Sequence, residues 1–179
     1  MKKQLFLLVF TMLSALVLSQ NNRAKGKIIK NFGETFNVVN PEIKTDTSAE
    51  LKVIFDVSST SADKSSINKN IVTAARFLNM HANAGMKPSQ LKVAVTIHGG
   101  AWKDVLSDEA YKKKFGVVNP NTQLIKELSN AGVDVIICGQ TAMFRKIDRT
   151  VVMPEVKFVL SAMTALLQYQ NNGYKFIKF

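Results

Sequence analysis

The sequence predicts a three-layer α/β/α domain on a mainly parallel sheet of about five strands. The main observation is alternation: short apolar, β-branched runs are separated by stretches of helical periodicity, the pattern that crossover connections demand. The first three runs are apolar nearly throughout, as strands covered on both faces must be. Composition agrees. With 46% hydrophobic residues the 179-residue chain can build a core, which excludes whole-chain disorder, and one Cys excludes a disulfide scaffold.

Leu51 to Val57 is the first strand, and a polar loop, Ser58 to Ser66, follows it. Ile67 to Ala84 is predicted as a helix, because Ile67, Ile71, Ala74, Ala75, Leu78 and Ala82 recur at steps of three and four. Ser65 or Ser66 is its expected N-cap, and Gly85 its expected stop. Leu91 to Ile97 is the second strand. Helical spacing returns over Val105–Phe115 and again over Asn121–Ala131, and Val133 to Cys138 is the third strand. A short helix over Gln140–Asp148, a strand over Val156–Leu160, a helix over Ala162–Gln170 and a final strand over Tyr174–Ile177 complete the pattern.

Two segments precede this domain. Lys2 and Lys3 followed by the uncharged apolar run Leu5–Leu18 read as a signal peptide over residues 1–19, with a cleavage site before Gln20. The run is short for a membrane span, which needs roughly 20 apolar residues. The mature chain is therefore expected to be periplasmic or secreted, with no membrane attachment after signal removal. Residues 20–48 read as an extended N-terminal arm, with Ile28, Ile29, Phe32, Phe36, Val38 and Val39 as apolar anchors that lay it along a surface. Residues 49–179 form the domain.

The net charge of +11 falls to +9 without Lys2 and Lys3. Such a charge attracts anions, but the basic residues are not interleaved with aromatics, and no nucleic-acid partner is expected. No two Gly are two, four or five residues apart. That excludes the dinucleotide fingerprint, the nucleophile elbow and the P-loop, so no cofactor is implied. His81 and His98 join no ligand cluster, and no metal site is expected. His98-Gly-Gly-Ala-Trp102 looks like the oxyanion segment of lipases, yet a hydrolase would lack its elbow here.

In an open parallel sheet, ligands bind at the carboxyl ends of the strands. Ser58–Ser61, His98–Trp102 and Cys138–Thr141 fall there. Cys138, the only thiol, stands where a strand gives way to a helix, a position that stabilises a thiolate. Arg145 lies on roughly the same helical face and is expected to add positive charge. His98 is a candidate for orienting or protonating sulfur, and Gly99, Gly100 and Gly139 for lining the site with backbone. A buried Cys completing a core strand is the competing reading.

Several segments together resemble the DsrE/DsrF-like family: Leu51-Lys-Val-Ile-Phe-Asp-Val57, the helix with Asn70 to Leu78, Val93 to Gly100, Leu128 to Gly139, and Pro154 through Gly173-Tyr174. The resemblance implies a flavodoxin-like fold and a homo-oligomer, trimeric or hexameric. In sulfur-relay members a Cys at the end of the third strand carries sulfur as a persulfide, and Cys138 matches that position. The functional expectation is thus an exported protein that binds or relays sulfane sulfur, with a donor or acceptor protein as partner. The alternative is a non-catalytic ligand-binding or assembly module of the same fold.

Overall fold

The computed structural model describes residues 23–178. The signal peptide expected at 1–19 lies outside the described residues.

Strands β3 (Leu51–Val57), β4 (Leu91–Ile97), β5 (Asp134–Cys138), β6 (Lys157–Val159) and β7 (Lys175–Lys178) form one sheet in the order β6-β5-β4-β3-β7. Every pairing is parallel. From β3 to β6 the chain steps sheetwise in one direction, then returns to the far edge to add β7 beside β3. With crossovers of constant hand, that reversal moves the last connecting helix to the opposite face of the sheet.

The core divides accordingly. Val53, Phe55 and Val57, Val93, Val95 and Ile97, and Val135 and Ile137 face helices α1 (Lys69–Asn83), α2 (Asp108–Phe115) and α3 (Thr122–Asn130). The intervening Ile54, Ala94 and Ile136 pack on Ala165 of the final helix, α5 (Ala162–Asn171). This is the three-layer arrangement expected. Its α5 side is much the thinner, and Met163 and Leu167 of that helix stay exposed.

Local boundaries differ from expectation where polar side chains redirect the backbone. Asn68, not Ser65 or Ser66, caps α1, its side chain accepting from the Asn70 N–H. The two serines are engaged by Asp63, whose carboxylate accepts from the Ser65 N–H and the Ser66 hydroxyl. The helical stretch expected at 105–115 is broken. A 3-10 helix covers Gly99–Val105, and Ser107 caps a fresh start at α2 by accepting from the Ala110 N–H. Helix α4 runs only from Gly139 to Phe144, shorter than the span to Asp148 read from the sequence.

The segment before the domain is folded rather than merely extended. β1 (Arg23–Ala24) pairs antiparallel with β2 (Thr35–Phe36), and the loop between them closes on Asn79 of α1. The fully buried Asn79 side chain accepts from the N–H groups of Ile28 and Ile29 and donates to the carbonyls of Ile29, Phe32 and Gly33. Gly33 has a positive φ of 71°, and a Cβ there would stand 2.5 Å from the Arg76 nitrogen, so only glycine fits. Ile29 is the true apolar anchor, with Ile28 and Phe32 partly buried beside it. Phe36, Val38 and Val39 are exposed; in β2 the inward residue is Thr35, whose hydroxyl accepts from the Asn83 side chain of α1, and Phe36 points the other way.

Asn79→Ala strips partners from several buried backbone groups at once. It is expected to lower the unfolding free energy by about 2–4 kcal/mol and to open residues 26–33 to proteolysis. Thermal denaturation with limited digestion checks this; an unchanged melt would show the loop is held otherwise.

Candidate functional site

Strand alternation also organises the carboxyl edge of the sheet. Asp56, Thr96, His98 and Cys138 all continue the even-numbered set that faces α5. The register pairs Ile97 with both Val57 and Ile137, so residues 98 and 138 come next on adjacent strands.

Cys138 ends β5 and is the N-cap of α4, its Sγ accepting from the Thr141 N–H at 3.5 Å. The residue is 5% exposed. Burial alone opposes ionisation of the thiol. It is outweighed by the Thr141 N–H and hydroxyl and by the backbone N–H groups of Ala162 and Gln140, and the net pKa is lowered. Ala162 is the first residue of α5, whose cap, Ser161, accepts from the Thr164 N–H. The sulfur therefore lies between the starts of two helices, where N–H groups lack intrahelical partners and the dipole favours negative charge.

After the end of the neighbouring strand β4, His98 holds Asp56 of β3 through Nε2 at 2.7 Å, and the other Asp56 oxygen is 3.2 Å from Lys178 Nζ. A carboxylate only accepts, so Nε2 is the donor in this contact. The imidazole is partly exposed, whereas Asp56 is buried. Thr96 sits between Asp56 and Ile136 in the register, fully buried, and its hydroxyl has no hydrogen-bond partner among the described residues.

The remaining expected residues fall in different places. The Gly99 N–H donates to Thr141 Oγ1 at 3.3 Å, which ties the His98 loop to the sulfur through Thr141. The N–H of Gly100 is engaged by the Ser58 carbonyl at 2.8 Å and is not available to an anion. Gly139 permits close packing: a Cβ there would stand 2.6 Å from the Val159 carbonyl oxygen. Arg145 does not share the sulfur's surroundings. It is the C-cap of α4, about 10 Å along the axis from Cys138, and its guanidinium stacks on Trp102 and Phe144.

Sequence reasoning missed three contributors. Asp56 carried a signal, the one acidic residue in a strand that is otherwise apolar apart from Lys52. Thr141 lay in a segment already singled out, but nothing in its spacing marked its hydroxyl. Ala162 contributes through its backbone, which residue type does not reveal. Among the described residues no group of three or more His, Cys, Asp and Glu is placed to hold a metal ion, and no helix is long and apolar enough to cross a membrane.

Comparison with solved structures places this architecture beside two others. One is a protein of unknown function, MTH1491, from Methanobacterium thermoautotrophicum (TM-score 0.55, 16% identity, covering 72% of this chain and 99% of that one). The other is the ychN protein from E. coli (TM-score 0.53, 16% identity, with the same coverage). At such identity the likeness is one of fold. No curated protein matches the sequence. The DsrE/DsrF-like family model, however, matches residues 52–179, which span the whole sheet from β3 to β7 together with the thiol and its donors, and the chain belongs to the DsrE/DsrF-like family.

Proposed function

We propose that this domain takes up sulfane sulfur on Cys138 as a persulfide, in a protein exported by the signal peptide at its N-terminus. The observation that carries the reading is the place of Sγ at the N-cap of α4, accepting from the Thr141 N–H, where this donor, the Thr141 hydroxyl and the Gln140 and Ala162 N–H groups offset burial and lower the thiol pKa. A thiolate is the nucleophile in thiol chemistry. It attacks the outer sulfur of a persulfide donor: Cys138–S⁻ + R–S–SH gives Cys138–S–SH + R–S⁻. One S–S bond forms as another breaks, the proton stays on the transferred sulfur, and no external oxidant is needed. The same donors stabilise the thiolate again when the sulfur passes to an acceptor thiol.

Burial sets the terms of access. At 5% exposure, Cys138 favours small donors over bulky ones. The same burial favours a second reading, a non-catalytic module whose Cys138 merely completes the core. Loading separates the two.

Assembly is part of the proposal. Phe144, Leu160, Met163 and Leu167 are exposed large apolar side chains on α4, the β6–α5 junction and α5, a face suited to a second copy of the chain. The resemblance to oligomeric family members supports a trimer or hexamer.

Four outcomes are expected. Polysulfide treatment should add sulfur to the intact mass of the wild type and none to Cys138→Ser; equal gain in both would end the carrier reading. The alkylation rate of Cys138 should follow thiolate content, with a midpoint below the ordinary thiol range. Thr141→Val should move that midpoint upward, slowing the reaction about three- to tenfold near neutral pH and leaving it unchanged above both midpoints. Finally, Met163→Lys with Leu167→Glu should shift the sedimentation coefficient to that of a monomer.

A further inference from the structure

A cavity of about 560 Å³ opens at the far end of α4 from the thiol, between α2, the 3-10 helix Gly99–Val105 and the turn after Phe144. Its size suits a small molecule. Four of its lining residues are cationic, Lys113, Lys114, Arg145 and Lys146, against one acid, Glu109. Among the described residues none of the four cations has a carboxylate in salt-bridge range. Trp102, the single Trp of the chain, also lines the cavity; Lys114 Nζ stands 5.5 Å and the Arg145 guanidinium carbon 5.9 Å from its ring centroid. Buried Leu106 and Ile147 add apolar wall. Lys146 adopts a left-handed φ of 55° at the end of α4, a position that glycine or asparagine would fill at lower cost.

We infer that this cavity binds a small organic anion with a flat aromatic ring, of the benzenesulfonate or benzoate type. The ring stacks against the indole and the apolar wall, and its acidic group meets the Arg145 and Lys114 cations. Cations on one rim repel each other, and an anion relieves that repulsion, most strongly where the cavity walls reduce screening. The concave shape and the indole favour a compact ring over a polymer, which would need an open groove. The site is separate from the persulfide chemistry: Cys138 caps one end of α4 and Arg145 the other.

Because there is one Trp, the protein gives one indole N–H resonance in a nitrogen-proton correlation spectrum, and it reports on this cavity alone. Titration with benzenesulfonate should shift that resonance saturably, at least tenfold more tightly than benzyl alcohol or inorganic phosphate, and more weakly as salt rises. Arg145→Gln and Lys114→Gln, with otherwise unaltered spectra, should each weaken binding at least fivefold, and Cys138→Ser should leave it unchanged. No saturable shift, equal response to benzyl alcohol or phosphate, or insensitivity to both charge substitutions would overturn the assignment. So would a response to poly-glutamate alone, which would point to an acidic polypeptide instead.

Discussion

Two-residue alternation in three adjacent parallel strands is the constraint on which everything else depends. Because β3, β4 and β5 are buried on both faces, neither face can slip by one residue without turning its packed set to the wrong layer. One set, from Val53 through Ile137, builds the large core beneath α1, α2 and α3. The other, Ile54, Ala94 and Ile136, makes a small core with α5, and its continuation toward the carboxyl edge places Asp56, Thr96, His98 and Cys138 together. The site is the polar end of the thinner core.

That origin explains its electrostatics. The edge of a parallel sheet is where strands hand over to helices, so unpaired N–H groups collect there. Around Cys138 they come from α4 and α5, two elements brought together only by the reversal of chain direction after β6. Burial and donor density act in opposite directions on the thiol, and the donors prevail. A cysteine equally buried among hydrocarbon would be inert. Here the short α4 also separates two environments: a thiol among N–H groups at its start, and a guanidinium stacked on aromatic rings at its end.

Outside the sheet, order depends on polar contacts that composition does not foretell. Asn79 holds the loop of residues 26–33 through both ends of one amide, and Asn68, Asn119 and Asn121 join Asp104 in a buried network under the loop after β3. In the same network burial lowers the Lys103 pKa and raises that of Asp104, each group opposing the other's shift. Such networks specify one arrangement because a shifted alternative would leave buried groups unpaired.

By itself the sequence determined the three-layer class, the strands of the sheet and the placement of Cys138 at a strand-to-helix junction. Apolar periodicity, small capping residues and β-branched runs are local signals, and they suffice for local structure. Only the tertiary structure decided the strand order, the Asn68 cap in place of the serines, the exposure of Phe36, Val38 and Val39, and the removal of Arg145 to Trp102. It alone brought the Ala162 N–H to the sulfur and Asp56 to His98. Those contacts join residues tens of positions apart, often through backbone atoms that every residue shares, and their meeting depends on the path of the whole chain rather than on the residues themselves.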